Sequence, residues 1–182
     1  MATYHPRFKH IVTSAAIAVA ILWSAPPAWA ETLDEMFAAL AEAETPAEGQ
    51  RIEARIAAEW SKSGSAAIDL LWSRGTSALE SGETLAAVEH FTAVIDHAPD
   101  FAEAYQGRAT AYFTLDLYGP ALDDLRQVLV MNPRHFGAMR GLAIILEQIG
   151  KEEEALEVIK LILAIHPQMQ DVAEAREITT SR

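Results

Sequence analysis

Four histidines lie beyond residue 30: His90, His97, His135 and His166. Imidazole is the commonest metal ligand and a ready general base near neutral pH, so the spacing of these four decides whether they can act together. A helical zinc site sets two histidines one turn apart, as in H-E-x-x-H. Here no two stand three or four residues apart. His97 and His166 fall near expected helix ends, where partial positive charge suits the helix dipole. The chain has no cysteine, which rules out disulfides and thiolate-bound zinc or iron–sulfur sites. The run Glu152-Glu153-Glu154 reads as favourable charge at a helix start. There is no glycine-rich phosphate loop and no nucleophile elbow, and the Ser and Thr hydroxyls have no visible base beside them. These residues point to no catalytic group, no metal and no cofactor.

The charge balance narrows the class of partner. All 26 acidic residues follow Ala30, whereas two of the 14 Lys and Arg, Arg7 and Lys9, precede it, so residues 31–182 carry 12 − 26 = −14. Such a surface repels phosphate backbones and disfavours nucleic acid as a partner. Residues 1–30 have the three parts of a secretory signal peptide. These are basic Arg7 and Lys9, an apolar run of thirteen residues from Ile11 to Trp23, and Ala28-Trp29-Ala30 after a proline pair. The run falls short of the ~20 residues a membrane helix needs. Cleavage before Glu31, with no stable membrane span afterwards, is the expectation. The location expected is outside the cytoplasm, with the bacterial periplasm preferred over secretion or a retained anchor.

The elements that would carry contact residues follow a ruler of 34. Pro99, Pro133 and Pro167 stand one step of it apart, and other columns keep the same step. Gly75, Ala109 and Ala143 are small; Ala87, Ala121 and Ala155 are all alanine. Phe91, Leu125 and Ile159 are large and apolar, as are Val94, Val128 and Ile162. The physics of two helices per unit accounts for this. Small residues let a helix pair approach, and large ones fill the remaining space. Gly82, Asp116 and Gly150 fall at the turn between helices, where a left-handed backbone is needed. Each proline stops the second helix. Asp100 and Glu103 have capping-box spacing for the helix that follows Pro99.

The pattern resembles the tetratricopeptide repeat, with W-x2-L-G-x2-Y, then A-x3-F and then P in each period. The resemblance covers residues 68–169. No repeat opens with Trp, and Arg74 and Arg108 occupy a column that Leu142 fills normally. The resemblance implies an all-α solenoid of helical hairpins, with repeats at residues 68–101, 102–135 and 136–169. Residues 31–67 read as a divergent helical hairpin covering the first repeat, with Leu33, Met36, Phe37 and Leu40 on one stripe and Ile52, Ile56 and Trp60 on another. Thr45-Pro46-Ala47-Glu48 is a capping box with proline at the first helical position, and Ser65 is the expected cap of the next helix. Residues 170–182 are expected to supply a capping helix and tail.

In tetratricopeptide arrays the first helix of each repeat lines the concave face, and the resemblance therefore implies a partner-binding groove there. Spacing shows only that the residues concerned share a face: Asp69, Trp72, Thr76 and Leu79; Glu103, Gln106, Thr110 and Phe113; Gly137, Arg140, Ile144 and Glu147. Trp72, Leu79, Phe113 and Ile144 would be apolar anchors, and Glu103 a charge at the rim. The Lys, Arg and Asn clamp by which some members hold a C-terminal carboxylate is absent, since Trp72, Thr76, Gly107, Gly137 and Gly141 stand in its places. The function expected is a scaffold binding another protein through a segment with apolar and basic residues. A self-associating structural subunit of an envelope complex is the alternative, and a small-ligand binder or enzyme a remote third.

Overall fold

The computed structural model describes residues 31–174, and the signal-peptide reading of residues 1–30 lies outside them. The described residues form eight α-helices in antiparallel pairs: α1 (Leu33–Glu42) with α2 (Pro46–Trp60), α3 (Ala66–Glu80) with α4 (Thr84–His97), α5 (Ala102–Thr114) with α6 (Tyr118–Met131), and α7 (Phe136–Gln148) with α8 (Glu152–Ile165). A further helical segment spans residues 170–174. No helix among them is long and apolar enough to cross a membrane.

The columns of the sequence ruler are the columns of the core. Ala87, Ala121 and Ala155 are buried, as are Phe91, Leu125 and Ile159 and then Val94, Val128 and Ile162. Gly75 is a glycine for a steric reason, because a Cβ there would lie 2.7 Å from the Phe91 ring. Gly107, from the next repeat, would clash with the same ring at 2.5 Å. Phe91 is thus gripped between two bare helix backbones. Gly82, Asp116 and Gly150 all have φ between 59° and 76°, the left-handed turn that closes each hairpin. α4, α6 and α8 each end two residues before their proline.

One column departs from the apolar pattern and is satisfied electrostatically. Arg108 donates from Nε and Nη2 to both oxygens of Asp124 on α6, each at 2.8 Å, and from Nη1 to Thr92 Oγ1 on α4 at 3.1 Å. The hydrogen bonds to Asp124 hold the guanidinium above its ordinary pKa. The third repeat has Leu142 and Val158 at these two places.

The N-terminal hairpin does not cover the first repeat. Met36, Phe37, Leu40, Ile52 and Ile56 join Phe136, Met139, Ile159 and Ile162 of the third repeat, with Met169 and Val172, in one core cluster. Trp60 stacks on His135 with ring centroids 4.2 Å apart and lies against Phe136 at 5.0 Å. Arg134 pairs with Asp34 at 2.5 Å and sits over the Phe37 ring at 4.1 Å. His166, the fully buried C-cap of α8, meets Glu53 at 3.3 Å. The physical reason is the contrast between the two ends of the array. The third repeat offers a broad apolar face, whereas the outward residues of α3 are Ala66, Ala67, Leu70, Ser73, Arg74 and Ser77. Burying the hairpin's stripe against the former removes far more apolar surface from water.

Local capping follows the sequence only in part. Thr45 Oγ1 accepts from Glu48 N at 3.3 Å with Pro46 at the first helical position, but the Glu48 carboxylate accepts from Glu44 N at 3.1 Å rather than from Thr45 N, so the box is half made. At α5 the N-cap is Phe101, with no side-chain cap, and Glu103 is turned away to His135. At α3 the N-cap is Ser65, again without a side-chain bond.

Candidate functional site

α5 and α7 are the first helices of consecutive repeats. They lie side by side over α6, whose Leu125 rises between them. Two glycines on the facing side of α7, one turn apart, leave space where side chains would otherwise stand. A Cβ on Gly141 would touch Leu125 at 3.4 Å, and one on Gly137 would press on the Gln106 amide at 2.9 Å. The result is a cleft of about 180 Å³ with Ala109, Leu125 and Ile145 as its floor. Gln106, Thr110, Phe113, Arg140 and Ile144 form its walls.

The walls are held in place by local bonds. Thr110 Oγ1 donates to the Gln106 carbonyl at 3.0 Å, and Thr114 Oγ1 to the Thr110 carbonyl at 2.9 Å. Phe113 tilts over Tyr118 with centroids 5.9 Å apart. Arg140 donates to Asp171 at 2.9 Å, which draws the C-terminal helical segment to the rim. Gln106 Oε1 is buried without a hydrogen-bond partner. An orphaned acceptor of this kind carries a desolvation cost of about 1–3 kcal/mol until a donor reaches it. The cleft can therefore take an apolar group against Phe113 and Ile144 together with a hydrogen-bond donor directed at Gln106.

Six of the residues expected on the binding face meet here: Gln106, Thr110, Phe113, Gly137, Arg140 and Ile144. The first repeat's four do not. Asp69 accepts from Ser63 N at 3.1 Å and Ser63 Oγ at 2.5 Å and so fixes the loop before α3. Trp72 is half-buried, edge-on to Phe101 at 6.3 Å. Leu79 packs with Ala78, Ala87 and Phe91. Thr76 donates to the Trp72 carbonyl at 3.1 Å. Glu103 is no rim charge. Its side chain is 15% exposed and accepts from His135 Nε2 at 3.0 Å. The tautomer follows from the other ring nitrogen, since Nδ1 accepts from Ala138 N at 3.1 Å and the proton must sit on Nε2. Glu147, half-buried one turn beyond Ile144, does not line the cleft.

Sequence reasoning missed Asp171, although the ruler could have found it. Asp171 stands one full step after Gly137, in the column of Asp69 and Glu103. Among the described residues no cluster of three His, Cys, Asp or Glu has metal-binding geometry.

Two overlapping stretches, residues 73–119 and 108–169, match the family model for the tetratricopeptide repeat. The chain belongs to the tetratricopeptide repeat family. A TPR repeat-containing protein of Rhizobium etli is 35% identical over 137 residues, which are 75% of this chain and 67% of that protein. The mouse DnaJ homolog subfamily C member 3 is 31% identical over 101 residues, 56% of this chain but 20% of the mouse protein. Among solved structures, the first TPR domain of Spaghetti (RPAP3), bound to an HSP90 peptide, superposes with a TM-score of 0.60 at 20% identity over 63% of this chain and 90% of that one. The Yersinia enterocolitica type III secretion chaperone SycD, in complex with a peptide of the translocator YopD, gives 0.60 at 18% identity over 64% and 95%. At such identities the likeness speaks to the tetratricopeptide fold alone.

Proposed function

We propose that this tetratricopeptide protein is a scaffold that seats a segment of another protein in the α5/α7 cleft, and that it works outside the cytoplasm. The observation that carries the reading is the cleft itself. Its apolar floor, two backbone-only positions at Gly137 and Gly141, and the Phe113 and Ile144 walls fit one aliphatic or aromatic side chain. Gln106 Oε1, buried and unpartnered, would accept from a backbone N–H or a basic side chain of the same segment. Two structural neighbours in this fold hold peptides, one of HSP90 and one of YopD. The net charge of −14 on residues 31–182 would steer a partner segment rich in Lys or Arg. The basic start, short apolar run and Ala28-Trp29-Ala30 support export to the bacterial envelope.

The test is site-specific photo-crosslinking in intact cells. A photoreactive residue at Ile144 should give a discrete adduct with another protein, mapped to a segment carrying apolar and basic residues. The same group at Val130, 76% exposed on α6, should not give it. An adduct with a second copy of the chain would favour the self-associating subunit, and equal adducts at both positions would remove the cleft from the reading.

A further inference from the structure

The two ends of the array are treated differently, and the difference leaves a second groove. The hairpin α1/α2 covers the third repeat, so the side of α3 against which a preceding helix would stack remains open. A groove of about 290 Å³ between α3 and α4 lies there, lined by Ser73, Arg74, Ser77, Ala78, Ser81, Glu83 and His90.

The second repeat shows what this place is built to hold. Arg108, the counterpart of Arg74 one repeat later, is satisfied from two sides. Asp124 of its own repeat receives both forks of the guanidinium, and Thr92 of the preceding repeat's helix takes the third nitrogen. In the first repeat both partners are missing. His90 stands where the ruler puts Asp124's counterpart, and Thr92's counterpart is Ala58, which has no hydroxyl and lies on α2, the helix that packs with the third repeat. Among the described residues Arg74 has no ion-pair partner. Around it Ser73 and Ser77 on α3 and Ser81 at its C-cap recur at four-residue steps, which sets three hydroxyl donors along one edge of the groove.

We propose that the Arg74 groove is a binding site for a carboxylate, which takes the place that Asp124 fills for Arg108. The guanidinium fork matches a carboxylate's two oxygens, and the serine hydroxyls add donors. A monoanion is the favoured charge, because Glu83 shares the groove and a phosphate dianion meets its repulsion more strongly. The carboxylate is carried either by a free organic acid or by an Asp or Glu side chain of a partner. The site is independent of the α5/α7 cleft.

The full chain, labelled with nitrogen-15, would be titrated with sodium acetate against a sodium chloride background of equal ionic strength, following the Arg74 Nε–H signal. A saturable shift with acetate and none with chloride is expected. Arg74→Gln should abolish the response at the neighbouring Ser73 and Ser77 amides. His90→Asp should weaken acetate binding by about tenfold or more, because it supplies the internal partner that Asp124 gives Arg108. Arg126→Gln, on an exposed arginine that already pairs with Asp123, should change nothing. Acetyl-Ala-Glu-Ala-amide separates the sources: tighter binding than acetate assigns the site to a partner's side chain, equal or weaker binding to a free acid. No saturable shift, a response that survives Arg74→Gln, or tighter binding of inorganic phosphate than of acetate would overturn the proposal.

Discussion

Gly107→Ala tests the grip on Phe91, and its sign is the informative quantity. Glycine inside a helix is ordinarily a weakness, and replacing it by alanine at a compatible position stabilises by about 0.4–1 kcal/mol. At Gly107 the new Cβ would lie 2.5, 2.6 and 2.9 Å from three carbons of the Phe91 ring. The ring is 1% exposed and cannot swing into solvent, and on its other side Gly75 already leaves no more than its own missing Cβ. Overpacking of this kind costs about 1–3 kcal/mol, and contacts on several ring atoms place it in the upper part of that range. After the helix gain is subtracted, the net loss is about 1–2 kcal/mol. For a domain of this size that is a fall in Tm of roughly 2–8 °C. Gly119→Ala, on α6 with nothing within 4 Å of the added carbon, is the internal control and should hold or raise Tm. Adding Phe91→Leu to Gly107→Ala should recover part of the loss. Thermal melts followed by circular dichroism suffice. A Gly107→Ala variant as stable as wild type would mean that Phe91 is not held between the two backbones.

Arg108→Ala or Asp124→Ala alone should cost about 3 kcal/mol or more, since each strands a buried charge, whereas Arg108→Leu with Asp124→Val, the residues of the third repeat, should lie close to wild type in urea unfolding. Phe37→Ala and Phe136→Ala, whose rings stand 6.4 Å apart, should be coupled by about 0.5 kcal/mol or more in a double-mutant cycle; additivity would detach the hairpin from the third repeat. Intact mass of the protein recovered from the envelope should lack residues 1–30, and a full-length chain in the membrane fraction would contradict the export reading.

Much of the repeat core was legible because period and residue size together report close packing. Three alanines in phase at Ala87, Ala121 and Ala155 can be read as a helix contact without any structure. The hairpin's destination was not legible in that way. The stripe of Met36, Phe37 and Leu40 says that one face must be buried and is silent about what buries it. Comparing the two array ends would have helped, since Phe136, Met139 and Ile159 offer more apolar surface than Ser73, Arg74 and Ser77. The capping box at Asp100 and Glu103 failed for a related reason. A buried His135 N–H needs an acceptor, and that demand outweighs an exposed cap of about 1 kcal/mol. On the binding face, helical phase was the readable part. It placed Gln106, Phe113 and Ile144 together. It could not show that Trp72 has Phe101 as a neighbour, because that contact depends on the loop entering α5.

The return of α1/α2 to the third repeat also bears on how the chain reaches its native state. In an open solenoid every contact is made with a neighbouring unit, so folding can begin anywhere and spread, and a terminal unit can be lost with little effect on the rest. Here Arg134 meets Asp34 across 100 residues, and the Gln168 side-chain amide reaches the Glu44 carbonyl across 124. The first segment of the folded domain to be synthesised is therefore the last to find its partner. Such long-range closure slows folding, because loop entropy is lost before the contacts compensate for it. It also couples the two ends of the array. A lesion in α8 loosens α2, and the domain should unfold as one unit rather than unravel from its third repeat. The same closure sets the length of the array, since a fourth repeat could stack on Phe136 and Ile159 only by displacing the hairpin.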